Sequence, residues 1–504
     1  MTVAATAPSP SQVFRAEYGH FIGGHWIQSD SATTISQINP ATGAELGRIQ
    51  AGNAVDVEKA VQAAETAFAT WSQSAPEERQ ELLFEFARRL KARVGDYALM
   101  EALNNGKTIT EATGWDIPNA ITQFELFAGA AYTLTGESRD YPDATGIVHR
   151  EPLGVCAQII PWNVPLLMFA AKIAPALAAG NTVVLKPAET SCLSIMEFCA
   201  EMADIIPPGV VNVVTGYGAD IGKPLVTHPL VRKVAFTGSV PTARKVIDYA
   251  ATNVIPQTLE LGGKSAQIVC ASADIDAAVE GAALSTIFNK GEVCLAGSRV
   301  FVHESVREEF TEKLVRVLER VQIGDPLSPA TQLDALASQA QFDKVTSYFD
   351  IARADGATIA TGGEIATVAG FERGFFVRPT LLTDVDNSMR VAQEEIFGPV
   401  TCVLGWNDES EVIRAANDVD YGLAGGVWSK DLGEVHRLSR AMQTGTVWVN
   451  RYFNAKTGMA LGGDQQSGYG REFSHDILRD YTHTKSVVIN HGFEGPLGIF
   501  GEIE

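Results

Sequence analysis

Cys294 carries the most reactive side chain in an unusual setting. It lies in "NKGEVCLAGSR", residues 289–299, with Gly291 three positions before it and Gly297 three after. A buried cysteine ordinarily packs as a small hydrophobe. As a thiolate it is instead a strong nucleophile, and two glycines give its backbone room to approach a ligand. Two other polar residues sit just past β-rich runs: Asn163 in "IIPWNVPL" and Glu260 in "ELGGK".

A second set of segments could hold an anion. In "VAFTGSVPTARKV" a strand runs into Gly238-Ser239 and then a helix with Pro241 in its first turn, the arrangement that offers free N–H groups to a phosphate. An ordinary serine-capped turn reads the same way. "VLKPAE" puts Lys186 and Glu189 at another strand end, either for ribose hydroxyls or as a surface ion pair. "VVTGYGADIG" offers Gly216, Gly218 and Gly222, but its last gap is one residue too long for the dinucleotide fingerprint.

These residues need a frame. "GVCAQII", "NTVVLK", "VVNVV", "KVAFTG" and "QTLEL" are short β-rich runs separated by helical stretches such as "LLMFAAKIAPALAAG". Five alternations predict an open parallel sheet with helices on both faces. A second series, "SAQIVC", "SRVFVHE", "FVRPTLLTDV" and "GPVTCVLGW", with the amphipathic "VREEFTEKLVRVLERV", predicts a second α/β unit. "DVEKAVQAAETAF" has a helical apolar stripe with Asp56 placed as its cap, and one long charged helix is expected from about Pro76 to Thr113. The first dozen residues read as a loose arm. "GESRDYPDATGIVHREPLG" fits neither series and predicts an exposed hairpin. "KSVVINHGFEGP" is a candidate strand to pair with it or with another subunit.

The chain has 504 residues, 46 % hydrophobic, with a net charge of -21. No basic run is present, which excludes nucleic acid and anionic lipid as expected partners. No apolar run reaches membrane-spanning length. The six cysteines show no paired spacing and no CxxC, so neither a disulfide framework nor a metal site is expected. With no signal-peptide pattern at the N-terminus, the expected location is the cytoplasm.

With "FTGS" and "EEIFGPV" (394–400) added, these motifs resemble the NAD(P)-dependent aldehyde dehydrogenase superfamily in order and spacing, from about Gly19 to Asn490. The resemblance implies a Rossmann-type cofactor domain (1–133 and 152–262), a catalytic α/β domain (263–478), and an oligomerisation hairpin with a C-terminal tail (134–151 and 479–504), assembled as a homodimer or homotetramer. It implies oxidation of a small-molecule aldehyde to the acid, with NAD favoured over NADP. Cys294 would be the nucleophile, with its pKa lowered, and the Asn163 amide and Cys294 N–H the oxyanion hole, each such donor worth about 3 kcal/mol. Glu260 would be the base that activates water against a thioester, and Lys172 would orient Glu260 or its water.

For the cofactor the resemblance implies Lys186 and Glu189 at the adenine ribose, Ser239 at the pyrophosphate beside Gly238, and Phe236 and Gly218 as further cofactor-binding residues. It also implies Glu395, Gln341 and Lys344 at the nicotinamide ribose, Phe397 near the ring, and Trp162 brushing the cofactor. The substrate tunnel would comprise Val164, Met168, Ala171, Phe288, Val293, Leu295, Ala455 and Leu461. Several of these replace bulky aromatics common in the family, so a roomy tunnel suited to bulky aldehydes is expected. Departures at Gln465 and Ala243 fall outside the chemistry. Three rivals remain: a coenzyme A-acylating relative, which often lacks a glutamate at the Glu260 position; a thiol hydrolase or thioesterase, which needs a histidine partner that no motif supplies; and a non-catalytic structural relative.

Overall fold

A computed structural model describes residues 10–492. The expected N-terminal arm lies mostly outside them; where it enters, Pro10–Val13 is a short helix. The end of the "KSVVINHGFEGP" segment also lies outside the described residues.

The five predicted strands form the centre of an eight-stranded sheet. Its order is 468–469, 257–260, 231–237, 155–159, 182–186, 211–213, 20–22, 25–27. The five central strands run parallel. The chain moves outward from 155–159 through 182–186 and 211–213, then returns to lay 231–237 on the other side. The strand order therefore reverses between 155–159 and 231–237, and a crevice opens there at the carboxyl ends of the strands. Ile159 pairs with both Lys186 and Phe236, and Thr237 with Glu260, so these strand ends lie nearly level.

The second series forms a seven-stranded sheet, order 358–361, 380–383, 400–406, 299–303, 266–269, 424–428, 446–449, parallel except at the 358–361 edge. Three of its strands, Thr358–Thr361, Ala424–Trp428 and Thr446–Val449, had no sequence expectation; "AGGVW" is too glycine-rich to read as β. The hairpin forms from Glu137–Asp140 and Ala144–Pro152, and Thr482–Asn490 pairs antiparallel along the whole of the latter.

Two helix expectations need correction. Asp56 is not the cap of its helix, Ala54–Trp71. Asn53 caps it, accepting from Val55 and Asp56 N–H, and Asp56 answers as the reciprocal member of a capping box. The long charged helix is broken. Pro76–Ala92 ends where Arg93 leaves helical geometry, and Val94–Asn105 ends at Gly106, whose φ of 89° needs glycine. A π-helical turn at Ala112–Asp116 then leads into Ile117–Ala130. The helix Pro165–Ala178 is buried along its whole length, which suits a segment apolar on every face. Among the described residues no helix is long and apolar enough to cross a membrane.

Candidate active site

A cavity of about 560 Å³ lies at the switch point and extends between the two large sheets. Asn163, Glu260 and Cys294 all line it. So do the expected cofactor residues Trp162, Gly238, Ser239, Gln341, Lys344, Glu395 and Phe397, and the expected tunnel residues Val164, Met168, Val293, Leu295, Ala455 and Leu461.

Cys294 follows a tight turn in which Asn289, Lys290 and Gly291 have φ of 45°, 62° and 70°. Successive left-handed residues cost energy unless packing holds them. The flanking glycines have a different cause from the expected one. A Cβ at Gly291 would lie 2.3 Å from the Gly398 carbonyl oxygen, and one at Gly297 2.6 Å from Gln267 Nε2. They admit neighbouring protein segments rather than a ligand. The expected lowering of the thiol pKa is also absent from the chain by itself. Burial, then the Glu395 and Glu260 carboxylates, push the Cys294 thiol up to about 12.

A buried polar network, which sequence reasoning missed, ties the thiol loop to the Asn163 loop. Asn163 Nδ2 donates to the Glu292 carbonyl at 2.9 Å, leaving its second N–H for a ligand. The Asn163 carbonyl accepts from Lys107 Nζ at 3.2 Å and Asn289 Nδ2 at 3.1 Å. Lys290 Nζ donates to Asn105 Oδ1 at 2.7 Å and pairs with Glu292 at 3.3 Å; Asn105 in turn donates to the Trp162 carbonyl. Burial, opposed by Lys290, pushes Glu292 up to about 7.

Glu260 is 6 % exposed, and neither carboxylate oxygen has a hydrogen-bond partner among the described residues. Burial and then the Glu472 carboxylate hold it well above the usual range, opposed by Lys172 and Arg471. Lys172 does not line the cavity. It is buried and donates to Glu472, and its charge opposes the rise at Glu260. Glu472 reaches this place because its backbone pairs with Leu461 and because Gly468 pairs with Glu260. It ends the "GGDQQSGYGRE" motif, the signal that could have found it. Gly462 is needed here, since a Cβ would lie 2.8 Å from Glu260 Oε1.

At the other end of the cavity Glu395 accepts from Gly263 N–H at 2.9 Å. Its carboxyl is raised by burial, with Lys344 and Lys264 opposing. Gln341 Nε2 donates to the Phe397 carbonyl, and Phe397 meets Trp162 edge-on at 5.4 Å. Ser239 precedes the helix Val240–Ala251, so that helix's free N–H groups face this end. The Phe236 ring packs over Gly238, where a Cβ would approach within 2.6 Å. Lys186, Glu189 and Gly218 are not among the residues that line the cavity and cluster with one another. Lys186 Nζ donates to Glu189 at 3.2 Å, and a Cβ at Gly218 would come within 3.9 Å of Lys186 Cε.

The tunnel differs from expectation in its walls. Ala171 is buried and outside the lining, and Phe288 lies behind Trp115, their rings meeting edge-on at 5.0 Å. Trp115, Trp448 and Phe473 line the cavity, so aromatic side chains outside the motifs replace part of the bulk missing at Val164, Ala171, Ala455 and Leu461. The π-helical turn presents Trp115.

Two open sheets thus meet over a thiol, an amide and a buried carboxylate, with a helix N-terminus at the far end. The model of the aldehyde dehydrogenase family matches residues 26–487. An aldehyde dehydrogenase of Deinococcus radiodurans is 42 % identical over 491 residues, covering 96 % of this chain and 95 % of that one. Betaine aldehyde dehydrogenase of Staphylococcus aureus, solved with NAD+, superimposes with a TM-score of 0.95 at 35 % identity, covering 98 % and 99 % of the two chains. A mutant aldehyde dehydrogenase of Bacillus cereus gives 0.94 at 37 %, covering 97 % and 100 %. The chain belongs to the aldehyde dehydrogenase family.

Proposed function

We propose that this member oxidises an aldehyde to the carboxylic acid with NAD, through a thiohemiacetal and then a thioester on Cys294. The observation that carries the reading is the convergence of Cys294, Asn163 and Glu260 on one cavity. The chain's own residues fit NAD. Gly238 makes room for the Phe236 ring and Gly262 for the Glu395 carboxylate, a helix N-terminus at Ser239 suits a pyrophosphate, and Glu395 and Glu189 offer carboxylates to ribose hydroxyls. The NAD+ complexes of similar structures support the same choice. When bound, NAD supplies the acceptor for the hydride that the adduct expels.

The Cys294 thiol releases its proton to solvent, and its sulfur adds to the aldehyde carbon. The oxyanion that forms takes hydrogen bonds from the second Asn163 N–H and the Cys294 backbone N–H. After the hydride leaves, a thioester remains. Glu260, with a pKa held high and both oxygens unpartnered, is suited to take a proton from water as that water attacks the thioester. The acid departs and the thiolate is restored. Lys172 and Glu472 tune Glu260 and touch no reacting atom. Among the described residues no histidine lines the cavity, which disfavours a thiol hydrolase.

Assembly as a homodimer or homotetramer is supported by the exposed edge strand Thr482–Asn490, with Val487, Val488 and Ile489 open to solvent. The six free cysteines suit the cytoplasm. NADH appearance at 340 nm over an aldehyde panel, with and without coenzyme A, tests the reading. Turnover without coenzyme A that disappears in Cys294→Ala is expected; turnover only with coenzyme A would make the protein an acylating enzyme.

A further inference from the structure

We propose that Gln123 selects aldehydes whose apolar body ends in a neutral hydrogen-bonding group, of which ω-hydroxyalkanals are the type. The proposal rests on the reading of the cavity as the aldehyde site. Trp115, Asn119 and Gln123 recur every four residues and share one helix face, and all three line the cavity. Leu167, Met168 and Phe473 line the same cavity and are apolar.

Gln123 is 4 % exposed, and its carboxamide makes no hydrogen bond to any described residue; Oε1 is buried without a partner. Asn119 differs, since its Nδ2 is engaged by the Trp115 carbonyl at 2.7 Å. Buried carboxamides in folded proteins are almost always satisfied, so an unsatisfied one in a ligand cavity is a partner reserved for the ligand. A half-turn of the amide presents either its donor or its acceptor, which matches a hydroxyl. A carboxylate would seek a cation instead. The cations that line the cavity are Lys344, near Glu395, and Lys456, on an exposed segment; neither belongs to this helix face.

The test compares kcat/KM for alkanals, ω-hydroxyalkanals and ω-carboxyalkanals of equal length, from six to ten carbons. The hydroxyl should be preferred by about tenfold, the usual worth of one such hydrogen bond, and only over a narrow range of lengths because the amide is fixed in place. Gln123→Leu should invert the preference, the alkanal gaining and the hydroxyalkanal losing. A wild-type ratio of one or less at every length overturns the proposal, whether or not the variant folds. So does a preference that survives Gln123→Leu, or a carboxylate preferred over the hydroxyl. Failure to oxidise any aldehyde would instead refute the reading of the cavity itself.

Discussion

Replacing Glu260 by glutamine keeps the shape of the side chain and removes its capacity to accept a proton. The carboxyl is buried, without a protein partner, and held above its usual range by burial and by Glu472. General-base catalysis is commonly worth about 10²- to 10⁴-fold, so hydrolysis of the thioester should slow by that factor. Acylation should respond in the opposite sense. The Glu260 carboxylate is one of two that disfavour the Cys294 thiolate, and its removal should move the pH dependence of acylation to lower pH. Glu260→Gln should therefore give a burst of NADH approaching one per active site, then a near-stop, with the acyl group found on Cys294 by mass spectrometry. In the wild type, the steady-state rate should rise with pH as Glu260 ionises, and that limb should vanish in the variant. Loss of turnover with neither burst nor adduct would show that Glu260 activates the thiol. An unchanged steady-state rate would remove Glu260 from the mechanism.

NAD should give a higher kcat/KM than NADP, because a 2′-phosphate placed at Glu189 meets a like charge; the reverse ratio would mean that Glu189 does not face the ribose. Gly291→Ala should destabilise the fold by about 3 kcal/mol or more, since a Cβ there would lie 2.3 Å from a carbonyl oxygen at a φ of 70°; a melting temperature equal to that of the wild type would refute this. Glu292, raised from 4.5 to about 7, binds its proton more tightly in the folded chain than in the unfolded one. Its contribution is complete below pH 4.5 and lost as pH rises through about 7. Thermal stability should decline across that window, and Glu292→Gln should flatten the decline; an identical slope in the variant would refute the assignment.

Much of the site was legible because its residues sit at strand ends, and strand ends are marked locally. "FTGS" and "ELGGK" each join a β-branched run to glycines, and alternation of strands and helices by itself implies a parallel sheet with a crevice at the carboxyl ends. Cys294 was likewise distinguished by its glycine-flanked segment, although the glycines serve contacts with Gly398 and Gln267 that no local pattern reveals. The rest depends on contacts between distant segments. Glu472 approaches Glu260 only through pairing of 461 with 472 and 468 with 260. Lys107, Lys290 and Asn105 look like surface residues in the sequence, yet they are buried beneath Asn163 because the Val94–Asn105 helix packs beside the thiol loop. Trp115 and Gln123 enter the cavity because a π-helical turn aligns one face of their helix with it. The sequence alone yielded the two series of strands and the expectation that Cys294 is the nucleophile. Tertiary structure decided that the Cys294 thiol and the Glu260 carboxyl are both raised, because burial itself, and then the charges it brings near, sets that direction.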